Sequence, residues 1–121
     1  MRKAKVLFKN EEAGTLTQYD DGSFSFRYHD DWIANEAKQS ISLTLPKWEK
    51  EFYSRYLFPF FYNMLPEGSN KQVVCKLNRI DREDHFSLLT ITASHDSKGP
   101  VRIIKKDEAR VYRKSNFVPA P

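Results

Sequence analysis

Gly14-Thr15-Leu16-Thr17-Gln18-Tyr19-Asp20-Asp21-Gly22-Ser23-Phe24-Ser25-Phe26-Arg27-Tyr28 holds two β-type runs on either side of a turn. Aspartate tolerates left-handed backbone and glycine adopts it without steric cost, so Asp20-Asp21-Gly22 lets the chain double back. Beyond the turn, Phe24, Phe26 and Tyr28 fall on one face of the returning strand. Upstream, Lys3 to Lys9 alternates as a preceding strand, with Asn10-Glu11-Glu12 as a polar turn and a second strand over 14–19. The N-terminal part therefore reads as an antiparallel meander.

Downstream, Asp30 to Ala37 opens on carboxylates and suits a short helical turn. Ile41, Leu43 and Leu45 alternate with Ser42 and Thr44, the pattern of a half-buried strand closed by Pro46. Lys47 to Tyr53 reads as a polar-aromatic loop. Ser54 to Leu65 predicts a short apolar helix with Leu57, Phe60, Phe61 and Met64 at i, i+3, i+4 and i+7, stopped by Pro66 and Gly68. Ser69 and Gln72 have capping-box spacing for a second helix reaching Leu77. Asp81 or Asp84 caps a third helix, whose Phe86, Leu88, Leu89 and Ile91 imply near-complete burial. A polar loop over 94–99 leads to a closing strand with Val101, Ile103 and Ile104, which Pro100 confines to an edge or strand end. The fold class is a small α+β domain: an antiparallel sheet, curled as far as a barrel in its extreme form, covered by two or three short helices.

At 121 residues the chain suits one domain, here spanning 1–104 with a basic C-terminal tail over 105–121. Nine Phe, six Tyr and two Trp supply an aromatic-rich core and exclude wholesale disorder. The net charge of +4 is concentrated in the tail, where Lys105, Lys106, Arg110, Arg113 and Lys114 face only Asp107 and Glu108. Basic DNA-binding domains carry their cations on a folded face or recognition helix, so this distribution argues for a solvated extension. The lone Cys75, among Val73, Val74 and Leu77, excludes an internal disulfide and reads as a small buried residue. The basic N-terminus lacks the apolar run of a signal peptide, and no stretch approaches the roughly 20 apolar residues of a membrane helix, so a cytoplasmic protein without a membrane partner is expected.

Catalytic chemistry finds little purchase. The three histidines, His29, His85 and His95, have no ligand spacing, and His29-Asp30-Asp31 reads as a helix start, so no metal is expected. Asp84-His85-Phe86 and Asn78-Arg79-Ile80-Asp81 faintly echo kinase motifs. Without a glycine-rich phosphate loop, a Val-Ala-Ile-Lys lysine or the length for two lobes, neither supports phosphoryl transfer, and no catalytic residue or cofactor is expected. Cys75 has no histidine paired with it in pattern, and Glu67 fits a helix start better than acid catalysis. Trp48, Phe52, Tyr53 and Tyr56 remain as anchors for a partner or as rings that fold back to close the core; both readings stand.

One further stretch, Phe58-Pro59-Phe60-Phe61-Tyr62-Asn63-Met64-Leu65-Pro66-Glu67-Gly68, follows Gly14-Thr15-Leu16-Thr17, Phe24 to Tyr28 and Ile41 to Pro46. It precedes Asp84-His85-Phe86-Ser87-Leu88-Leu89 and Gly99-Pro100-Val101-Arg102-Ile103. In this order and spacing the chain, over about residues 3–104, resembles the N-terminal subdomain of HipA-type toxin kinases. In that family a much longer Ser/Thr kinase core follows, whereas this sequence stops at Pro121, which makes it similar to HipS, the small component of HipB-HipS-HipT toxin–antitoxin systems. The resemblance implies a non-catalytic, antitoxin-like subunit that binds and restrains a separately encoded HipA/HipT-type Ser/Thr kinase. It also implies a HipB-like helix-turn-helix protein as third member, with operator DNA reached only through it. Kinase contact then falls to Glu67, Ser69 and Asn70 at the Leu-Pro-Glu-Gly corner, with Trp48 and Tyr53 as secondary positions. Ser69 stands where several relatives carry tryptophan, and His95 to Val101 departs from the Gly-Ala-Val common there. The alternatives are a nucleic-acid-associated accessory module using the basic tail, and the N-terminal fragment of a full-length HipA kinase.

Overall fold

The meander forms, with tighter turns than the sequence suggests. In the computed structural model, which describes residues 1–93 and 100–106, β1 (Arg2–Phe8) passes through Lys9-Asn10 into β2 (Glu11–Gln18). Lys9 and Asn10 have φ of 52° and 67°, the two left-handed residues of a type I′ hairpin turn, whose twist matches that of the strands. Glu11 and Glu12 are thus paired with Phe8 and Leu7 in the ladder, where the sequence reading has a turn. Val6 pairs with Gly14 and Leu7 with Glu12, so Ala13 is an extra residue that bulges the strand. Gly14 lies so close beneath the next strand that a Cβ would sit 2.4 Å from the Arg27 carbonyl oxygen and 2.9 Å from the Phe26 ring.

The Asp20-Asp21-Gly22 turn leads into β3 (Phe24–Tyr28). The outer strands are β4 (Glu51–Ser54), paired with β3, and β5 (Val101–Lys105), paired with β1. The sheet is antiparallel and open, in the order β4-β3-β2-β1-β5, and does not close into a barrel. Pro100 sits where its missing donor costs least, at the start of an edge strand, and its carbonyl accepts from the Lys9 amide at 2.9 Å.

Two connecting stretches exchange roles. Residues 41–45 are a turn closed by a single bridge between Ser42 and Leu45, with Leu43 99% exposed. The Thr44 amide donates to Ser42 Oγ at 3.2 Å and the Leu45 amide to the Ser42 carbonyl at 3.1 Å, local bonds that compete with a ladder. Ile41 and Leu45 stay buried because the Tyr28 hydroxyl holds both, accepting from the Ile41 amide at 3.0 Å and donating to the Leu45 carbonyl. Conversely, the second half of the expected 47–53 loop is β4, which pairs Phe52 with Phe26.

The helices are α1 (Asp30–Ala34), α2 (Pro59–Tyr62), α3 (Gly68–Asn78) and α4 (His85–Thr92). The helix expected over 54–65 is only the single turn α2, because Pro59 drives Phe58 to an extended conformation (φ −59°, ψ 139°) and then occupies the first helical position itself. Leu57, Phe58, Phe61 and Leu65 are buried there, while Phe60 and Met64 only pack against the core. The Ser69–Gln72 capping box is absent, since α3 starts at Gly68 and Glu67 is its N-cap. Asp84 caps α4, accepting from the Ser87 amide at 3.2 Å. Phe86, Leu88, Leu89 and Thr90 of α4 are buried, but Ile91 is 38% exposed, so the helix keeps an open side.

The core lies on one side of the sheet. Ala4, Val6 and Phe8, Leu16, Phe26 and Tyr28, and Val101 and Ile103 meet Phe61, Phe86, Leu88 and Leu89 there, and Cys75 is buried with them. Phe26 is the central ring, 4.8 Å from Tyr28 and 5.7 Å from Phe61 between centroids, in the edge-on and tilted geometries aromatic quadrupoles favour. The expected 94–99 loop, including His95, lies outside the described residues, as does the tail expected over 105–121 except for Lys105, which ends β5, and Lys106, which follows it.

Candidate functional site

Buried Phe61 and Leu65 hold the end of the apolar run in the core, and Cys75 holds α3. Between them the chain must turn in the open. The Met64 and Leu65 amides bond the Phe61 and Tyr62 carbonyls at 3.0 and 3.1 Å, Pro66 ends that turn, and Gly68 with φ 56° starts the next helix. Glu67, Gly68, Ser69 and Asn70 are consequently all exposed at one corner. A cleft of about 310 Å³ opens beside it, lined by Tyr62, Asn63, Pro66, Glu67, Lys71 and Arg82 among others.

The corner's charges are unspent. Among the described residues Glu67, Lys71 and Arg82 form no ion pair. No side chain caps α3, so its first amides and the positive end of its dipole face outward. Lys71, Arg82 and this helix start suit an acidic group of a partner, while Glu67 at the rim suits a cation.

On α3 itself Asn70, Val73 and Leu77 fall at i, i+3 and i+7, one stripe of the helix. Val73 is 54% and Leu77 77% exposed, so the stripe is an apolar surface continuous with the corner. Adjacency in sequence groups both residues with buried Cys75. At 3.6 residues per turn, positions two steps from Cys75 lie on the opposite side of the helix, and that period was the available signal.

The secondary candidates do not join the corner. Trp48, 82% exposed, follows Lys47 in the turn closed by the Glu49 amide on the Pro46 carbonyl at 3.1 Å. Tyr53, 69% exposed, stands on β4 opposite Ser25, on the side of the sheet away from the core. Neither lines the cleft. Of the other two rings in this stretch, Phe52 packs on the core and Tyr56 is exposed.

The kinase-like and metal-like tripeptides have structural work. Asp84 receives Arg2 at 2.8 Å and the Ser87 hydroxyl at 2.8 Å. Burial raises its pKa, but the hydrogen bonds from Arg2 and Ser87 outweigh this and hold the carboxyl below its ordinary value. His29 meets Glu12 at 2.7 Å, and Asp30 meets Lys50 at 2.7 Å. Among the described residues no group of three His, Cys, Asp or Glu could hold a metal ion, and no helix is long and apolar enough to cross a membrane.

Known proteins resemble this chain over most of its length. An uncharacterized protein of Haemophilus influenzae is 34% identical over 89 residues, covering 74% of this chain and 79% of its own. The kinase-named protein Y4mE of Sinorhizobium fredii is 28% identical over 108 residues, 89% of this chain but 26% of Y4mE, so the chain spans about a quarter of that relative. The solved N-terminal domain of HipA toxin superposes with a TM-score of 0.64 at 25% identity, covering 89% of this chain and 95% of the domain. The HipA N-terminal domain family matches residues 4–104, and the chain belongs to that family.

Proposed function

We propose that the chain is a non-catalytic, antitoxin-like subunit that binds a separately encoded HipA/HipT-type Ser/Thr kinase in the cytoplasm and restrains it. The observation that carries this reading is the exposed corner continuous with the apolar α3 stripe, a surface made of unpaired charges beside uncovered Val73 and Leu77. A stripe of this kind gains free energy only when another surface covers it. The relatives support the pairing: the domain is about a quarter of kinase-named Y4mE, yet 79% of the Haemophilus protein. The same unit thus occurs inside a long protein and as most of a short one.

In this reading Glu67, Ser69 and Asn70 make the polar contacts of the corner, Val73 and Leu77 supply the apolar centre, and Trp48 and Tyr53 lie outside it. Ser69 is too small to plug a pocket, so restraint comes from packing against the kinase. A HipB-like helix-turn-helix protein completes the complex and alone reaches operator DNA.

The test is co-expression with a HipA/HipT-type kinase encoded beside this gene, scoring growth and co-purification. Rescue by the native chain, lost in a Glu67→Ala, Ser69→Arg double variant that still folds, is the expected result. Stable co-purification without rescue would replace restraint by a supporting role, and absence of both would remove the kinase from the account.

A further inference from the structure

Strands alternate, so the residues between the core positions point to the other side of the sheet. Reading across by register, one row there is Tyr53, Ser25, Thr17 and Lys3, and the next is Glu51, Arg27, Thr15, Lys5 and Ile104. Lys106, just after β5, donates from Nζ to Thr15 Oγ1 at 3.3 Å and so lies over the second row. Four interstrand steps of about 4.8 Å make this face roughly 19 Å wide.

The face is cationic, and residues 1–106, with Lys106 included, carry +3 of the net +4. Lys3, Lys5, Arg27 and Lys106 share it with Arg102, which reaches Asn10 Oδ1 at 3.0 Å. Its carboxylates are Glu12, engaged by His29 at 2.7 Å, and Glu51. Arg27 has Asp30 at 3.8 Å, whereas Lys3 and Lys5 have no ion-pair partner among the described residues. The two lysines are about 7 Å apart along β1. In the middle of the face Thr17 and Ser25 are buried, 7% and 3% exposed, and Tyr19 bonds Ser25 Oγ at 2.9 Å.

We propose that this outer sheet face binds single-stranded nucleic acid, with Lys3, Lys5 and Lys106 on the phosphates and Tyr53 as the stacking ring. An acidic protein surface fits less well, because protein interfaces gather an apolar centre inside a polar rim, whereas the aliphatic residues of these rows, Leu7 and Ile104, stand at the margin of the face. A duplex fits less well, because a broad sheet bearing an exposed aromatic offers a ring to an unstacked base. This binding needs neither the corner nor any residue beyond Lys106.

Fluorescence anisotropy of the full chain with labelled oligo(dT) and oligo(U), across a salt series, tests it. Duplex DNA of equal length and polyglutamate serve as competitors. Both single strands should bind. Lys3→Glu, Lys5→Glu should weaken them at least about tenfold and flatten the dependence of log K on log salt by roughly 1.4, two phosphate contacts' worth. Tyr53→Ala, at an exposed site that leaves the core intact, should weaken them by about fivefold or more, and Glu67→Ala should change nothing. Absence of binding overturns the proposal, as does affinity unchanged in the lysine variant. Competition by polyglutamate as strong as by unlabelled oligo(dT) would transfer the face to an acidic protein, and equal binding of duplex would remove the stacking platform.

Discussion

Tyr28 joins three parts of the chain with one hydroxyl. Its ring is fully buried against Phe26, and its oxygen accepts from Ile41 and donates to Leu45, fixing both ends of the 41–45 turn. Burial raises its pKa, so the hydroxyl stays protonated and able to donate at neutral pH. Tyr28→Phe keeps the ring but strands a buried amide and a buried carbonyl, which should cost about 1–3 kcal/mol of stability by urea denaturation. An unchanged midpoint would mean that the turn does not depend on the clasp. Lys47 assists nearby, its ammonium donating to the Asn35 and Lys38 carbonyls at 2.7 and 2.6 Å. The burial of Cys75 was legible from its small apolar side chain, although two of the neighbours that pointed to it, Val73 and Leu77, are exposed. The clasp was not, since its partners lie 13 and 17 positions away and hydrophobic period carries no trace of them.

Helix α4 shows how an element is tied to the sheet. Asp84 caps it locally, while Arg2 from β1 bonds the same carboxylate at 2.8 Å and places its guanidinium 4.8 Å from the Phe86 ring centre. Because the folded-state pKa of Asp84 is depressed, its contribution is present above the unfolded carboxylate value near 3.9 and is lost as pH falls through the folded value. Asp84→Ala should cost about 0.5–2 kcal/mol at neutral pH through the cap. Asp84→Asn should retain the cap, lose the pairing with Arg2, and flatten the acid limb of a stability-against-pH curve. An acid limb identical to the native one would show that other carboxylates govern it. The cap was readable from Asp84 standing before an apolar run. Its tie to Arg2, 82 residues away, was not. Elsewhere local pattern misled for identifiable reasons. Strict alternation over 41–45 suggested a strand where serine side-chain bonds make a turn. Four residues of β4 with one core-facing ring, Phe52, were too short a signal to outrank a loop. The apolar helical period over 54–65 continued on paper through Pro59, which the backbone does not allow.

At the scale of the molecule, the open sheet separates two surfaces of different chemistry. One is the corner and α3 stripe on the helical side, with an apolar centre. The other is the lysine-bearing face of the sheet. Charge counted along the sequence hid the second, because its cations come from β1, β3 and the end of β5 and meet only through strand pairing. Exposure hid the first, since helical neighbours of a buried cysteine look like core until their angle around the helix is followed. If these surfaces are independent, their variants must separate. Val73→Lys, Leu77→Lys removes two side chains whose full burial is worth about 1.5–3 kcal/mol each, so kinase co-purification should fall by a hundredfold or more. The same variant should bind oligo(dT) at least as well as the native chain, since it adds positive charge and leaves the sheet untouched. Lys3→Glu, Lys5→Glu should do the reverse, keeping the kinase and losing the strand. Both variants alter exposed or half-exposed positions, and matched thermal melts verify that each remains folded. Loss of both activities in either variant, with the melt unchanged, would mean that kinase and nucleic acid meet on one continuous surface. Separation would make this domain a bridge that holds a kinase on its helices while its sheet stays free for a polyanion.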